Sequence, residues 1–144
     1  MRLAHDPSTA VGDYVFTHRL RVRFAETDAM GIVHHAAYLP YFEEARVAYL
    51  DSIGHPYTSV RDDGIDFAVL EAYVRYLSPL AFDDRVDVHL RVIAPTRATF
   101  QVAYLLTVEG TPRSTGVTVH GCVDRTGRPV RMPGWLGELA AAAG

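Results

Sequence analysis

Between His18 and Phe24 the chain alternates, with Leu20, Val22 and Phe24 on one side and Arg19, Arg21 and Arg23 on the other. That period of two predicts a half-buried strand. A turn-like stretch, AETDAMG, follows. From Tyr38 to Ile53 the period changes: Tyr38, Phe42, Ala45, Tyr49 and Ile53 recur at steps of three and four, while Glu43, Glu44 and Asp51 fall mostly opposite. One amphipathic helix is expected there, with Gly54 and Pro56 as stop signals and Asp62-Asp63-Gly64 as a loop.

Four further strand-like runs come next. They are marked by Phe67, Val69, Tyr73 and Leu77, by Val86 to Val92, by Phe100 to Val108, and by Thr115 to Val123 with Val117 and Val119 inward. Ser78-Pro79, Ala94-Pro95 and Gly110 to Pro112 separate them, and short turns between consecutive runs favour an antiparallel meander. A short helix is expected over 134–141. With only one long helix, crossovers for a parallel sheet are not available, which leaves an α+β architecture in which an antiparallel five-stranded sheet carries a single helix on one face. One domain spanning 1–144 is expected, with a loose lead-in over 1–13 and a short helix and tail over 134–144.

Composition narrows the function. A formal net charge of −3 gives no sign of a nucleic-acid or membrane partner. The single cysteine, Cys122, excludes an internal disulfide and a Cys-rich metal site. Asp6, Pro7 and Ser8 interrupt any signal-peptide core, and no run approaches the roughly 20 apolar residues of a membrane span. A cytoplasmic protein is the simplest expectation. Every basic residue is Arg, a compositional bias that lowers the information each arginine carries. The sequence holds no nucleophile elbow, phosphate loop, dinucleotide fingerprint or H-E-x-x-H motif. His120 and Cys122 share one side of a strand, but no further ligand pair accompanies them.

The stretch from Arg23 to Arg46 reads as a site. It joins a strand end to a helix start and holds Asp28, Gly31, His34 and His35. A helix start offers unpartnered N–H groups and a positive dipole end, which stabilise an oxyanion. Gly31 permits a tight turn. Asp28 is placed to activate water or to attack a carbonyl, although a turn or cap role fits it equally on the residues alone. His34 and His35 are adjacent and cannot share a helix face, so one of them at most should reach the same site as Asp28.

The motifs VRF, AETDAMGIVHH and YLPYFEEAR, with a looser continuation YLSPLAFDDRVDV, resemble the signature of the hot-dog-fold acyl-CoA thioesterases of the 4-hydroxybenzoyl-CoA thioesterase superfamily, in its YbgC/FadM-like branch. The resemblance implies a sheet wrapped around one central helix, and hydrolysis of an acyl- or aroyl-CoA to free acid and CoA. It implies Asp28 as nucleophile or general base and the backbone N–H of His35 as oxyanion donor, with Gly31 and His34 supporting. It implies no cofactor, coenzyme A being part of the substrate, and a homodimer or homotetramer with active sites between subunits. Arg97 and Arg128 fall near the family's CoA-contacting positions. Tyr73, Tyr76, Phe100 and Tyr104 are candidates for an acyl or aryl pocket. The sequence departs from some relatives at Phe24, Ala37 and Pro40. Enoyl-thioester hydration or dehydration and non-catalytic acyl-CoA binding are the alternatives.

Overall fold

The computed structural model describes residues 6–143. Strands β1 (Phe16–Arg21), β2 (Asp66–Tyr76), β3 (Arg85–Ile93), β4 (Thr99–Val108) and β5 (Thr111–Val123) form one sheet in which every neighbouring pair is antiparallel. Helix α1 (Tyr38–Ser52) lies on one face of it. The short α2 (Tyr57–Asp62) and the terminal α3 (Gly134–Ala143) complete the element order. This is the hot-dog arrangement.

The strand order is β1-β3-β4-β5-β2, so the expected meander holds only for β3, β4 and β5. β1 occupies the flank of β3 where β2 would have paired. The segment between β2 and β3 is tied to the site loop, through Val33 N–H to the Leu80 carbonyl and an Ile32–Ala81 bridge, and β2 pairs with the far side of β5 instead. β2 is therefore a sheet edge. It exposes Val69, Leu70, Tyr73 and Tyr76, with a bulge between Val69 and Glu71.

Three other expectations are corrected. β1 ends at Arg21, and Phe24 lies in a 3-10 turn (Phe24–Glu26) with 74% of its surface exposed. The Glu26 carboxylate accepts the Arg23 N–H at 2.8 Å and closes that turn, which swings Phe24 out against Phe82, ring centroids 5.6 Å apart. Residues 57–62 form α2 just after Pro56, anchored by buried Val60, where the sequence suggests only a stop signal. Val117 and Val119 are buried, but on the face of β5 turned away from α1, because their neighbours Gly116 and His120 meet Phe42 and Phe100 on the α1 side.

The lead-in is only partly loose. Of its described residues, Val11–Asp13 form a 3-10 turn and Asp6 pairs with Arg75 on β2; just beyond it, the Tyr14 hydroxyl donates to the Ser8 carbonyl at 2.6 Å. Residues 1–5 and 144 lie outside the described part of the chain. The C-terminal helix runs to Ala143, beyond the predicted end.

The core sits between α1 and the sheet. Tyr38, Tyr41, Phe42, Ala45, Tyr49 and Leu50 are buried on α1 against Val86, Val88, Leu90 and Val92 of β3 and their neighbours. Phe42 stacks on Tyr104, centroids 4.1 Å apart and nearly parallel. Gly116 makes this contact possible, since a Cβ there would stand 2.4 Å from Phe42 Cζ. Arg19 pairs with Asp87 at 2.8 Å, Arg21 with Asp83, and Arg23 with Glu26 at 3.0 Å, so the arginine stripe of β1 is a solvated face neutralised by acids.

Candidate active site

Asp28 opens a tight turn after β1. Its N–H donates to the Ile32 carbonyl at 2.8 Å, and its own carbonyl accepts from the N–H of Gly31, whose φ of +80° supplies the reversal. Asp28 Oδ1 accepts the Met30 N–H at 2.8 Å, while Oδ2 has no hydrogen-bond partner among the described residues. The side chain is half-buried. One carboxylate oxygen is thus held by the backbone and the other is left for a ligand.

Seven residues after Asp28 the chain enters a 3-10 turn, His35–Ala37, that leads directly into α1. His34 caps this turn, its Nδ1 accepting the Ala36 N–H at 3.1 Å. The His35 N–H makes no hydrogen bond among the described residues, so the helix entrance presents an unpaired donor. Pro40 stands in the first turn of α1, where its missing N–H costs nothing.

Asp28 and His35 line one open depression of about 410 Å³, with Met30, Tyr38, Tyr76 and Ser78 also around it. The structure brings these two predicted residues together. His34 does not line the depression, although its ring stacks on His35 at 4.2 Å. The helix-face argument does not govern this pair, because both precede the first turn of α1. Arg97 and Arg128 are exposed in turns at the opposite end of the sheet from Asp28 within the same chain. Of the candidate pocket aromatics, Tyr76 lines the Asp28 depression and Phe100 a second, inner cavity. Tyr104 is buried under Phe42, and Tyr73 lies on the outer face of β2, opposite Val117.

Sequence reasoning gave Glu26 no role, yet it braces the site. Its Oε1 accepts the Tyr41 hydroxyl at 2.8 Å as well as the Arg23 N–H, and its carbonyl accepts the His34 N–H at 2.8 Å. Burial opposes the charge, but the donors from Arg23 and Tyr41 outweigh it and hold the carboxyl below its ordinary range. The signal was Tyr41, a second aromatic beside Phe42 that the heptad-like stripe does not require. No group of three or more His, Cys, Asp or Glu that could hold a metal occurs among the described residues, and no helix there is long and apolar enough to cross a membrane.

The comparisons with known proteins bear on the family and the fold. The family model of the thioesterase-like superfamily matches residues 22–140. A 1,4-dihydroxy-2-naphthoyl-CoA hydrolase of Synechococcus elongatus is 30% identical over 133 residues, covering 88% of this chain and 96% of that protein. The crystal structure of a hypothetical protein from Aquifex aeolicus superposes with a TM-score of 0.82 at 42% identity, covering 87% of this chain and 98% of the other. A DHNA-CoA thioesterase from Staphylococcus aureus gives 0.77 at 29% identity, covering 80% and 78%. With a family model matching residues 22–140 and a hydrolase 30% identical over 88% of its length, the chain belongs to the thioesterase-like superfamily and is a hot-dog-fold thioester hydrolase.

Proposed function

We propose that the protein hydrolyses an acyl- or aroyl-CoA thioester to the free acid and CoA in the depression between Asp28 and His35. A thioester has weak resonance stabilisation and a good leaving thiolate, so one carboxylate and an oxyanion donor suffice. The His35 N–H, supported by the dipole of α1, takes the developing charge on the carbonyl oxygen. Asp28 delivers the attacking oxygen, its own or that of a water it deprotonates; the C–S bond breaks and the thiolate leaves to be protonated. Gly31 sets the turn and His34 caps the entrance. No resident cofactor is needed, because coenzyme A arrives with the substrate. The observation that carries the reading is the pairing of a half-held carboxylate with an unpaired backbone donor on one cavity.

The working unit is a homodimer or homotetramer in which the exposed β2 edge meets its own copy; a sheet edge bearing Leu70, Tyr73 and Tyr76 supports this. A two-fold pair would bring the partner's end of the sheet, with Arg97 and Arg128, toward this Asp28, where they meet the CoA phosphates. The test is thiol release over an acyl-CoA panel by wild type and Asp28→Asn. A fall of at least about a hundredfold in kcat is expected, and equal turnover would remove Asp28 from the reaction.

A further inference from the structure

The side of the sheet turned away from α1 is buried at its centre. Register sets Arg75, Thr115, Leu105, His89 and Thr17 opposite one another in turn, one transverse row over β2, β5, β4, β3 and β1. Each alternates with residues that face α1, so the row lies on the outer side. Within it Leu105 is 0% and Thr115 2% exposed, and Ala103 and Val117 in the adjacent row are as dry. α1, and Leu136 of α3 with Leu90 and Val92, lie on the inner side. An antiparallel sheet carrying one layer ordinarily turns a polar, solvated face outward. Here the centre of that face is apolar and dry, which requires a cover.

Among the described residues, the segment tied to this face at both ends is 6–14. Asp6 pairs with Arg75 at the β2 end of the row. The Tyr14 ring stands beside His89, centroids 6.4 Å apart, and the Val15 N–H then joins the Leu90 carbonyl at 3.1 Å as the chain enters β1. The two anchors are three strand spacings apart, about 14 Å, whereas nine extended residues reach about 30 Å. The 3-10 turn Val11–Asp13 and the Ser8 contacts take up the slack. The Ser8 hydroxyl donates to the Asp13 carboxylate and accepts the Ala10 N–H at 3.0 Å, and the Ser8 carbonyl accepts the Tyr14 hydroxyl at 2.6 Å. The segment is therefore closed on itself, and burial pushes the Tyr14 hydroxyl up to a pKa of about 12. Its seat is satisfied as well: His89 Nδ1 lies 2.7 Å from Thr17 Oγ1 and Nε2 2.9 Å from Thr107 Oγ1.

We propose that residues 6–14 form an intramolecular strap that occupies the outer face of the sheet and keeps that face from pairing with a second copy of the chain. Lifting the strap bares Leu105, Ala103, Val117 and Val119, an apolar patch of the kind that marks an interface. A two-fold axis sets such a patch against itself in another copy. The β2 edge stays open for assembly, because no backbone hydrogen bond joins residues 6–14 to β2 among the described residues. The strap rests on the fold alone and not on the hydrolase reading.

Thr115→Cys reports on the cover. It lies in the row, is close to isosteric, and breaks no bond, since Thr115 Oγ1 has no hydrogen-bond partner. Wild type supplies the blank, its one thiol, Cys122, being buried with a pKa pushed up to about 11. At high dilution the full-length Thr115→Cys protein should react with a maleimide at least about a hundredfold more slowly than the same protein unfolded in urea. Adding Asp6→Arg and Tyr14→Ala, which breaks both anchors, should raise the rate at least about tenfold. In the Thr115 background the same double variant, followed by light scattering up a concentration series, should double its mass over wild type. Where the double variant does not fold, Asp6→Arg alone should speed labelling about two- to fivefold, the scale of an exposed ion pair, and Asp6→Arg/Arg75→Asp should return it to the parent rate. Labelling of the parent at the unfolded rate, labelling unchanged by breaking the anchors, or a released protein with the mass of wild type overturns the proposal.

Discussion

The Tyr41 hydroxyl of α1 donates to Glu26 Oε1 across 2.8 Å and ties the helix to the loop that carries Asp28. Glu26 is 85% screened from solvent at its side chain (15% exposed) and is also held by Arg23, so the loop and the helix entrance are tied together at this carboxylate. Tyr41→Phe removes this one bond and keeps the ring. A hydrogen bond to a charged group contributes about 1.5–3 kcal/mol, so unfolding in urea should show a loss of about that size. Because Tyr41 positions the site without lining the depression, kcat should fall several-fold with KM little changed. A rise in KM alone would contradict the bracing role.

The oxyanion role of His35 belongs to its backbone, and proline separates backbone from side chain. His34 has φ −64° and ψ 139°, the extended conformation that a following proline demands. The His35 N–H has no partner in the fold to lose. His35→Pro should therefore fold normally and lose about 10²–10³ in kcat, while His35→Ala, which keeps the N–H, should lose much less. Equal losses in the two variants would move the effect to the imidazole.

Gly116 permits the Phe42–Tyr104 stack that floors the helix. A methyl group there would lie 2.4 Å from Phe42 Cζ and 3.1 Å from the Tyr73 carbonyl. Gly116→Ala should destabilise the protein by about 1–3 kcal/mol through overpacking, read as a lowered Tm. An unchanged Tm would mean that Phe42 rotates away at no cost.

The β2 edge carries the proposed dimer. Leu70 is more than half exposed on that edge, and a lysine there opposes edge-to-edge pairing. Leu70→Lys should raise the dimer dissociation constant at least about tenfold, seen by light scattering across a dilution series, and activity should fall in parallel with the dimer fraction. Full activity in a monomeric variant would place the whole site within one chain.

Much of this was legible in the sequence because it rests on local rules. The α1 stripe and the alternation of β3 and β4 follow from burial on one side of a regular element, and Gly31 from a turn that needs positive φ. What was missed depends on long-range partners. Phe24 continues the β1 alternation, but the Glu26 carboxylate closes a turn that no period can reveal. β2 looks like the next strand of a meander until β1 is seen to occupy that flank. Both faces of β4 are buried, so inward and outward could not be told apart from apolar character on neighbouring β5. His120 read as one polar residue on a sheet face, since its connection to Arg46, through Thr118 and Tyr104, crosses 74 positions of sequence and three hydrogen bonds.

That connection has a thermodynamic signature independent of any substrate. His120 has a folded pKa of about 3, far below the ordinary histidine value of 6.5, because burial and Arg46 disfavour its charged form. At pH values between these two, the unfolded chain binds a proton that the native protein does not. Stability therefore falls as pH falls through this window, by up to about 1.4 kcal/mol per pH unit, and is unaffected well above pH 7. From pH 7.5 to 5.0 the histidine should cost wild type about 2 kcal/mol. His120→Phe has no such group, so its unfolding free energy in urea should decline less over that interval by the same amount. His89, whose pKa burial also lowers, is present in both proteins and cancels from the difference. Parallel pH profiles for the two proteins would show that His120 takes up a proton in the native state as readily as in the unfolded chain.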